Sequence, residues 1–182
     1  MVVDNKGTIS YIRVLKEDLA IIRVTPNDSP VPDFKAGQFV TLGLHIPTEG
    51  KIVRRAYSIA SQPEQKKYFE LVIRWVRKPV PGRLTTELFS KKEGDEIVWV
   101  KPTGIFTINE KLHNGAPDDR RMVLIGGGTG LAPFISYSLH MKAIGSTREI
   151  VVLHGASYVD ELSYRELLTE LEQESIDSGK DK

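Results

Sequence analysis

The sequence predicts a β plus α/β fold, in which a six-stranded antiparallel Greek-key β-barrel precedes a partial parallel α/β, Rossmann-like domain. Two observations predict it. The first hundred residues alternate short runs of β-branched and aromatic residues with clusters of turn residues, as in small barrels. From about residue 120 the order becomes apolar strand, glycine cluster, helix, apolar strand and helix, which is typical of a parallel sheet. A polar, turn-rich stretch at residues 114–119 divides the two patterns, so we expect domains at residues 1–115 and 116–182.

Six barrel strands are expected where β-branched and aromatic residues concentrate, several of them with alternating apolar and polar positions. They lie at residues 7–15, 19–25, 38–46, 52–60, 68–77 and 95–101. Clusters of proline, glycine and polar turn residues separate them, as at residues 26–30. One short helix, at residues 84–92, follows a turn at residues 81–83.

The second domain begins with a continuous apolar strand at residues 121–125 and has another such strand at residues 149–154. Helices are expected at residues 132–143 and 163–174, the latter because leucines recur there at helical spacing. Two strands make a poor sheet, because parallel sheets are normally covered on both faces and an open edge invites pairing. We therefore expect either a longer chain or a partner chain that completes this domain.

The composition excludes several function classes. Lys plus Arg is 25 and Asp plus Glu is 24, and the net charge of +1 argues against a protein that coats nucleic acid. The absence of cysteine removes disulfides, thiolate zinc sites, cysteine-ligated iron–sulfur clusters and cysteine nucleophiles, and no metal site is expected. No apolar run reaches the ~18 residues of a membrane span, and residues 1–6 lack the layout of a signal peptide. We therefore expect a soluble, cytoplasmic protein.

The strongest local motif is the glycine cluster at residues 126–134, GGGTGLAPF, between a predicted strand and a predicted helix. Glycines allow a tight turn and the close approach of a ligand, and the N-terminus of the following helix suits a phosphate. The motif is not a P-loop, because no Gly-Lys-Ser/Thr follows. It also differs from the common G-x-G-x-x-G pattern, since Pro133 stands where the third glycine would be. A glycine-rich turn without a ligand is the alternative.

Two further motifs lie in the barrel region. In the segment RRAYS, Arg55 and Tyr57 project from the same strand face, where a guanidinium can bind phosphate and a phenol can stack on a flat ring. In the segment PGRLTT, Gly82 leads into a short helix whose first N–H groups are free for a second phosphate contact. Each motif alone is more typical of an ordinary surface strand or a capped surface helix.

Taken in order, R-A-Y-S, G-R-L-T and G-G-G-T-G-L-A-P-F resemble the ferredoxin–NADP reductase family, especially its bacterial members. The resemblance extends to FKAGQFV at residues 34–40, to residues 94–106, to HGA at residues 154–156 and to ELSYR at residues 161–165. It covers about residues 7–174. It implies FAD in the barrel and NADP(H) or NAD(H) in the second domain.

The resemblance assigns cofactor binding to Arg55, Ala56, Tyr57, Ser58, Val72, Ile73, Arg74, Gly82, Leu84, Thr85, Gly128, Thr129 and Gly130. Arg55 should contact the FAD pyrophosphate, Tyr57 should pack on the flavin, and Ser58 should lie near flavin N5. Tyr57 and Ser58 are therefore the expected catalytic residues. Ile73 should touch the flavin, with Trp75 on the same face by strand alternation.

The remaining positions have phosphate or nucleotide roles in the same resemblance. The turn at Gly82 and the helix start that follows should serve the FAD phosphates. Gly128 and Gly130 should receive the NADP pyrophosphate, and Thr129 should lie between flavin and nicotinamide. The four histidines are scattered singly and are expected to be structural.

The function implied is electron transfer between NAD(P)H and a one-electron carrier such as ferredoxin or flavodoxin. The alternative is an FAD-binding electron-transfer or interaction module that binds nicotinamide productively only with a partner chain. Ser157 favours that alternative, because many bacterial members have an arginine there. A nucleic-acid-binding barrel is a weaker third hypothesis, since basic residues and aromatics on a small barrel can also bind oligonucleotides.

Overall fold

The computed structural model describes residues 3–179, so the first two and last three residues of the expected domain ranges lie outside it. Six antiparallel strands form one sheet in the order β4-β3-β6-β1-β2-β5. Their bounds are β1 Asn5–Lys16, β2 Leu19–Pro26, β3 Phe39–Ile46, β4 Lys51–Ser58, β5 Phe69–Arg74 and β6 Glu96–Thr103. The sheet curls until its edge strands β4 and β5 lie beside each other, and we call β1–β6 the barrel.

A small α/β unit follows the barrel. Its elements are β7 Met122–Gly127, α2 Ala132–Ala143, β8 Ile150–Gly155 and α3 Arg165–Asp177, while α1, Arg83–Leu88, belongs to the barrel. Short 3-10 turns occur at Pro47–Glu49, Gly128–Leu131 and Val159–Glu161. Strands β7 and β8 pair in parallel from Met122 to Gly127. The predicted fold class is confirmed.

The barrel interior is filled by the inward-facing residues of its strands. Phe69 is fully buried, and its ring lies 5.2 Å from that of Trp99, measured between centroids. The indole Nε1–H of Trp99 donates to the carbonyl of Lys6 at 3.0 Å, so this large side chain is buried without an unpaired donor. Of β4, Val53 is buried in this core and Tyr57 packs against it, whereas Arg55, Ala56 and Ser58 are exposed.

The α/β unit is covered on one face only. Leu124 and Val152 pack against α2, whereas Val123, Ile125 and Leu153 on the opposite face are 52%, 71% and 49% exposed. Alternation along a strand places these two sets of side chains on opposite faces. Within residues 3–179, no helix combines the length and apolar character needed to cross a lipid bilayer.

Three predicted elements of the barrel extend further along the chain than the structure shows, and the other strand boundaries differ by at most two residues. The helix predicted at residues 84–92 ends at Leu88, because the chain then turns and the N–H of Lys92 binds Asp95 Oδ2 at 3.0 Å. The strand predicted at residues 68–77 ends at Arg74, so alternation does not place Trp75 beside Ile73. The strand predicted at residues 52–60 ends at Ser58.

Trp75 instead belongs to the turn after β5. Its N–H donates to the carbonyl of Asp18 at 2.8 Å, and its indole donates to Thr86 Oγ1 at 3.0 Å. Its ring also lies against Phe89, with centroids 5.6 Å apart. Trp75 therefore ties the β5 end to α1.

The helix predicted at residues 163–174 is shifted in the structure. Helix α3 begins at Arg165, after the 3-10 turn and Tyr164, and continues to Asp177. Helix α2 has the predicted bounds.

An apolar interface joins the barrel to the α/β unit. Its buried members are Leu19, Ile21, Ala60 and Val72 of the barrel and Leu131, Ala132, Ile135 and Tyr164 of the α/β unit. We call this cluster the interface. Because Leu131 and Ala132 belong to the glycine cluster, the interface fixes that cluster against the barrel strands.

Gly126 is required by packing, whereas its neighbour Gly127 is not. A Cβ at Gly126 would lie 2.9 Å from the Cα of Leu131, whereas a Cβ at Gly127 would have nothing within 4 Å. We expect Gly126→Ala to lower the free energy of unfolding by about 1–3 kcal/mol, the usual cost of overpacking. Gly127→Ala should change it little. Chemical denaturation of both variants checks this, and equal stability of the two would contradict the packing argument.

Candidate cofactor-binding site

The RAYS segment occupies the end of β4. Arg55, Ala56 and Ser58 are exposed, and Tyr57 is partly buried against the barrel core. Arg55 makes a bond from Nη1 to the carbonyl of Arg54 at 2.8 Å, and no carboxylate among residues 3–179 pairs with it. The guanidinium therefore retains donors that can bind an anion.

The hydroxyl of Tyr57 is buried but has no hydrogen-bond partner within the described part of the chain. Burial raises the pKa of Tyr57 to about 12, although the Arg55 charge opposes the shift. The phenol is therefore protonated at neutral pH and carries a donor without an acceptor. Buried donors rarely remain unpaired, so the site fits a ligand that supplies an acceptor there.

Tyr57→Phe tests this orphan donor. The free energy of unfolding of the ligand-free protein should stay constant or rise slightly, because the substitution removes an unpaired buried polar atom. FAD affinity should fall about 2- to 10-fold, the effect of one neutral hydrogen bond. Thermal denaturation and FAD titration measure the two quantities. A loss of stability with unchanged FAD affinity would show that the hydroxyl has a structural partner instead.

The Gly82 turn lies near β4 because α1 packs against β3 and β4. Arg83 pairs with both oxygens of Glu49 at 2.9 Å, which ties the start of α1 to the segment before β4. The Thr85 hydroxyl donates to the Gly82 carbonyl at 3.1 Å, and Leu84 is buried. The structure thus brings the predicted phosphate turn to the predicted flavin strand, with the Leu84 side chain acting as an anchor.

The three predicted residues of β5 face different surroundings. Ile73 is buried in the barrel core, and Val72 is buried in the interface. Arg74 makes ion pairs with Asp18 and Glu161, both at 3.1 Å. Arg74 is therefore occupied by protein carboxylates.

The glycine cluster forms the turn between β7 and α2. Gly128 has a φ of 51°, in the left-handed region that favours glycine. A Cβ at Gly128 or Gly130 would have nothing within 4 Å, so the backbone is open above this turn. Thr129 lies between them in the 3-10 turn, and α2 begins three residues after Thr129, at Ala132. This open backbone at a helix N-terminus fits a phosphate group.

His154 lies beside the glycine turn, where it pairs with Gly126 in the β7–β8 ladder. Both ring nitrogens are buried; within residues 3–179 neither makes a hydrogen bond of ordinary geometry, and the Gly128 backbone interacts with the ring and opposes the lowering of its pKa. Burial lowers the pKa of His154, so the ring is neutral at pH 7. The ring nitrogens are not accessible to a ligand, so we interpret His154 as a residue that packs beside the glycine turn.

The interface brings two of the motifs, the RAYS segment and the glycine cluster, close to each other. Ala60, two residues after Ser58, and Leu131, two residues after Thr129, share the interface. The buried hydroxyl of Ser136 on α2 also donates to the carbonyl of Ser61 at 2.7 Å. The ends of β4 and of the glycine turn are thus held next to each other.

A separate cleft of about 250 Å³ lies between the barrel and α3. Tyr11, Arg23, Glu70 and Tyr164 line it, and none of the predicted site residues does. The predicted cofactor surface, at β4 and the glycine turn, is therefore distinct from this cleft.

Sequence reasoning missed the polar residues that join the two parts of the chain. Glu161 and Tyr164 lie in the ELSYR segment, but nothing in their local pattern indicates partners in the barrel. Their signal, buried ionisable groups with distant partners, exists only in the folded chain.

The residues at this site have the chemical groups needed to bind a dinucleotide such as FAD. Strand β4 carries an unpaired buried phenol and a guanidinium free of carboxylates, and an open glycine turn lies at the interface beyond the end of that strand. They offer, respectively, a hydroxyl donor, a phosphate contact and a backbone phosphate contact.

Comparison with known proteins agrees with this geometry. Residues 6–108 match the family described as oxidoreductase FAD-binding domain, and residues 124–180 match the oxidoreductase NAD-binding domain. The chain is 35% identical to ferredoxin–NADP reductase of Pseudomonas aeruginosa over 139 residues, which is 76% of this chain and 50% of that protein. It is 35% identical to flavodoxin/ferredoxin–NADP reductase of Shigella flexneri over 148 residues, 80% of this chain and 54% of that protein.

The chain spans about half the length of the curated relatives it matches. Among solved structures, a ferredoxin NADP+ reductase from Neisseria gonorrhoeae with bound FAD and NADP shares the fold, with a TM-score of 0.75 and 24% identity. The alignment covers 94% of this chain and 65% of that one. The predicted resemblance to ferredoxin–NADP reductases is confirmed by these relatives, and the chain belongs to the oxidoreductase FAD-binding domain family.

Proposed function

We propose that the protein is a flavin-dependent oxidoreductase that transfers electrons between NAD(P)H and a one-electron carrier such as ferredoxin or flavodoxin. The observation that carries the proposal is that the free β4 surface and the open glycine turn meet at the interface. The names of the matched relatives support the same activity. We place the boundary between the FAD-binding and nucleotide-binding parts near residue 115.

In this proposal the barrel residues hold FAD. Arg55 binds the pyrophosphate, Tyr57 packs on the flavin and donates its hydroxyl, and Ser58 presents a hydroxyl at the ring edge. The Gly82 turn adds backbone contacts to the phosphates. FAD, when bound, accepts two electrons from NAD(P)H and passes single electrons to the carrier.

The glycine turn holds the nicotinamide nucleotide in the same proposal. Gly128 and Gly130 let its pyrophosphate approach the backbone, and Thr129 orients the ring toward Ser58. Reaction needs the two rings about 3–3.5 Å apart, so the protein contributes mainly position. Transfer between the two rings needs no acid–base pair from the chain.

Exposed cations near the site, Arg55 among them, would favour the binding of an acidic carrier protein.

We further propose that the reaction occurs in the cytoplasm, where reduced nicotinamide nucleotide and such carriers are present together. Cell fractionation with an antibody to the protein tests the location.

Anaerobic reduction of the FAD-loaded protein tests the function. NADPH, or NADH, should bleach the flavin absorption band, and ferredoxin or flavodoxin should restore it. A protein that dithionite bleaches but neither nucleotide does would support the alternative of a flavin module. A protein that takes up no added FAD would contradict both.

We also propose that a further polypeptide completes the α/β unit. Val123, Ile125 and Leu153 form an exposed apolar face on a sheet of two strands, and the matched relatives are about twice as long. An added chain segment would cover that face, either in the same polypeptide or in a partner. Ile125→Lys should abolish co-purification with such a partner, whereas Val14→Lys, at an exposed barrel position, should not.

A further inference from the structure

A buried carboxylate that the proposed chemistry does not use also joins the barrel to the α/β unit. Glu161 belongs to the α/β unit, in the 3-10 turn that follows β8, and its side chain is 8% exposed. Its partners are both in the barrel: Arg74 at the end of β5 and Lys16 at the end of β1. A buried charge is costly unless it is paired, so this carboxylate favours one arrangement of the two parts.

The geometry of this cluster is specific. Glu161 Oε1 accepts from Arg74 Nη1 and from Lys16 Nζ, each at 3.2 Å, and Glu161 Oε2 lies 3.1 Å from Arg74 Nη2. The Arg74 guanidinium also donates to both oxygens of Asp18 at 3.1 Å. The hydrogen bonds from Arg74 and Lys16 hold the pKa of Glu161 below its ordinary value, so the carboxylate is ionised at neutral pH.

A second buried carboxylate makes the reciprocal contact. Glu70 of β5 accepts a hydrogen bond from Tyr164 of the α/β unit, whose hydroxyl lies 3.3 Å from Glu70 Oε1. Its other oxygen receives Arg23 Nε at 2.7 Å. Each part of the chain thus contributes one buried carboxylate to groups on the other part.

These contacts lie next to the proposed reaction centre. Arg74 follows Val72 and Ile73 on β5, and β5 touches the glycine turn. Glu161 lies six residues after Gly155, the last residue of β8. A rotation of the α/β unit would therefore break the Glu161 cluster and move the glycine turn relative to Ser58.

We infer that Glu161 and Arg74 are positioning residues, which set the place of the glycine turn against the flavin surface of the barrel. The inference rests on the proposed function for its kinetic consequence but not for its structural one. Arg74 thereby has a role at the interface in place of the cofactor contact that the family resemblance implies.

Electron–electron distance measurement on the FAD-loaded full chain tests the structural part. The chain has no cysteine, so Asp28→Cys in the barrel and Glu170→Cys on α3, both at exposed positions, accept spin labels at those two sites alone. Glu161→Gln should broaden the distribution of distances between the labels. The matched control is Glu166→Gln, which removes an exposed ion pair with Arg13 across the same interface and should leave the distribution narrow.

Lys16→Met provides a second variant if Glu161→Gln folds poorly. It removes one of the two cations of the cluster. It should also broaden the distribution of distances between the labels, but less than Glu161→Gln does. A narrow distribution in the variant that folds would overturn the inference. Equal broadening in Glu166→Gln and Glu161→Gln would overturn it too, because any lost charge would then suffice.

Kinetics separate positioning from a merely structural role. In Glu161→Gln the limiting rate of flavin bleaching at saturating NADPH should fall by about 10- to 100-fold, as for a displacement of about 1 Å. The dissociation constant for FAD should stay unchanged, and KM for NADPH should change less than the limiting rate. An unchanged limiting rate would overturn the kinetic consequence. If NADPH does not bleach the wild-type protein, the proposed function fails, and the distance measurement still decides the interface role.

Discussion

Arg55→Gln should weaken FAD binding by about 10- to 100-fold, since a hydrogen-bonded contact to a charged group is worth about 1.5–3 kcal/mol. The guanidinium is exposed at the end of β4, has no carboxylate partner in residues 3–179, and lies on the strand face of the partnerless Tyr57 hydroxyl. The substitution therefore removes a ligand contact without breaking an ion pair of the fold. Titration of the apoprotein with FAD, followed by flavin fluorescence, measures the change.

The matched control for this prediction is Lys92→Gln, which removes one exposed positive charge from the turn between α1 and β6. It should leave FAD affinity unchanged, so that a general effect of net charge is separated from a specific contact. Thermal denaturation of the apoprotein should show no difference between Arg55→Gln and wild type. If both substitutions weaken FAD equally, or if Arg55→Gln has no effect, Arg55 does not bind the cofactor.

Gly130→Val should slow flavin reduction by NADPH by about 100-fold at low nucleotide concentration, because a branched side chain would displace the nucleotide by about 1 Å or more. A Cβ at Gly130 has nothing within 4 Å, and its φ lies outside the left-handed region, so the fold should accept the substitution. Affinity for FAD should be unaffected, because the barrel is unchanged. Anaerobic stopped-flow absorbance measures the rate.

Ala143→Val adds the same kind of bulk at the exposed far end of α2 and should leave the rate at the wild-type value. Gly130→Val with a wild-type rate would mean that the nucleotide does not approach the glycine turn. A large loss of stability in Gly130→Val would contradict the open surroundings seen in the structure.

Local sequence chemistry predicts the strands and the order of the elements well. Alternation and turn residues place all six barrel strands, and the glycine cluster falls between β7 and α2 as its composition predicts. Boundaries fail where tertiary contacts decide them. The strand predicted to include Trp75 ends at Arg74. The reason is that the N–H of Trp75 donates to Asp18 and its indole donates to Thr86, partners that lie 57 and 11 residues away.

In the candidate site, too, some residues are predicted by local sequence and others are not. Local motifs identify Arg55, Tyr57 and the glycine turn, because each carries its chemistry within a few residues. The Arg74–Glu161 pair joins residues 87 apart, and no local pattern reveals that a carboxylate will be buried against a given arginine. The missing partner of the Tyr57 hydroxyl likewise depends on packing in three dimensions, which periodicity does not describe.

A crystal structure of the protein grown with FAD and NADP+ tests the central claim most directly. We expect flavin density against Tyr57 and Ser58, the FAD pyrophosphate at Arg55, and the second nucleotide over the turn at Gly130. A groove beside Arg55 and Tyr57 that is filled by the protein's own side chains, with neither nucleotide bound there, would contradict it.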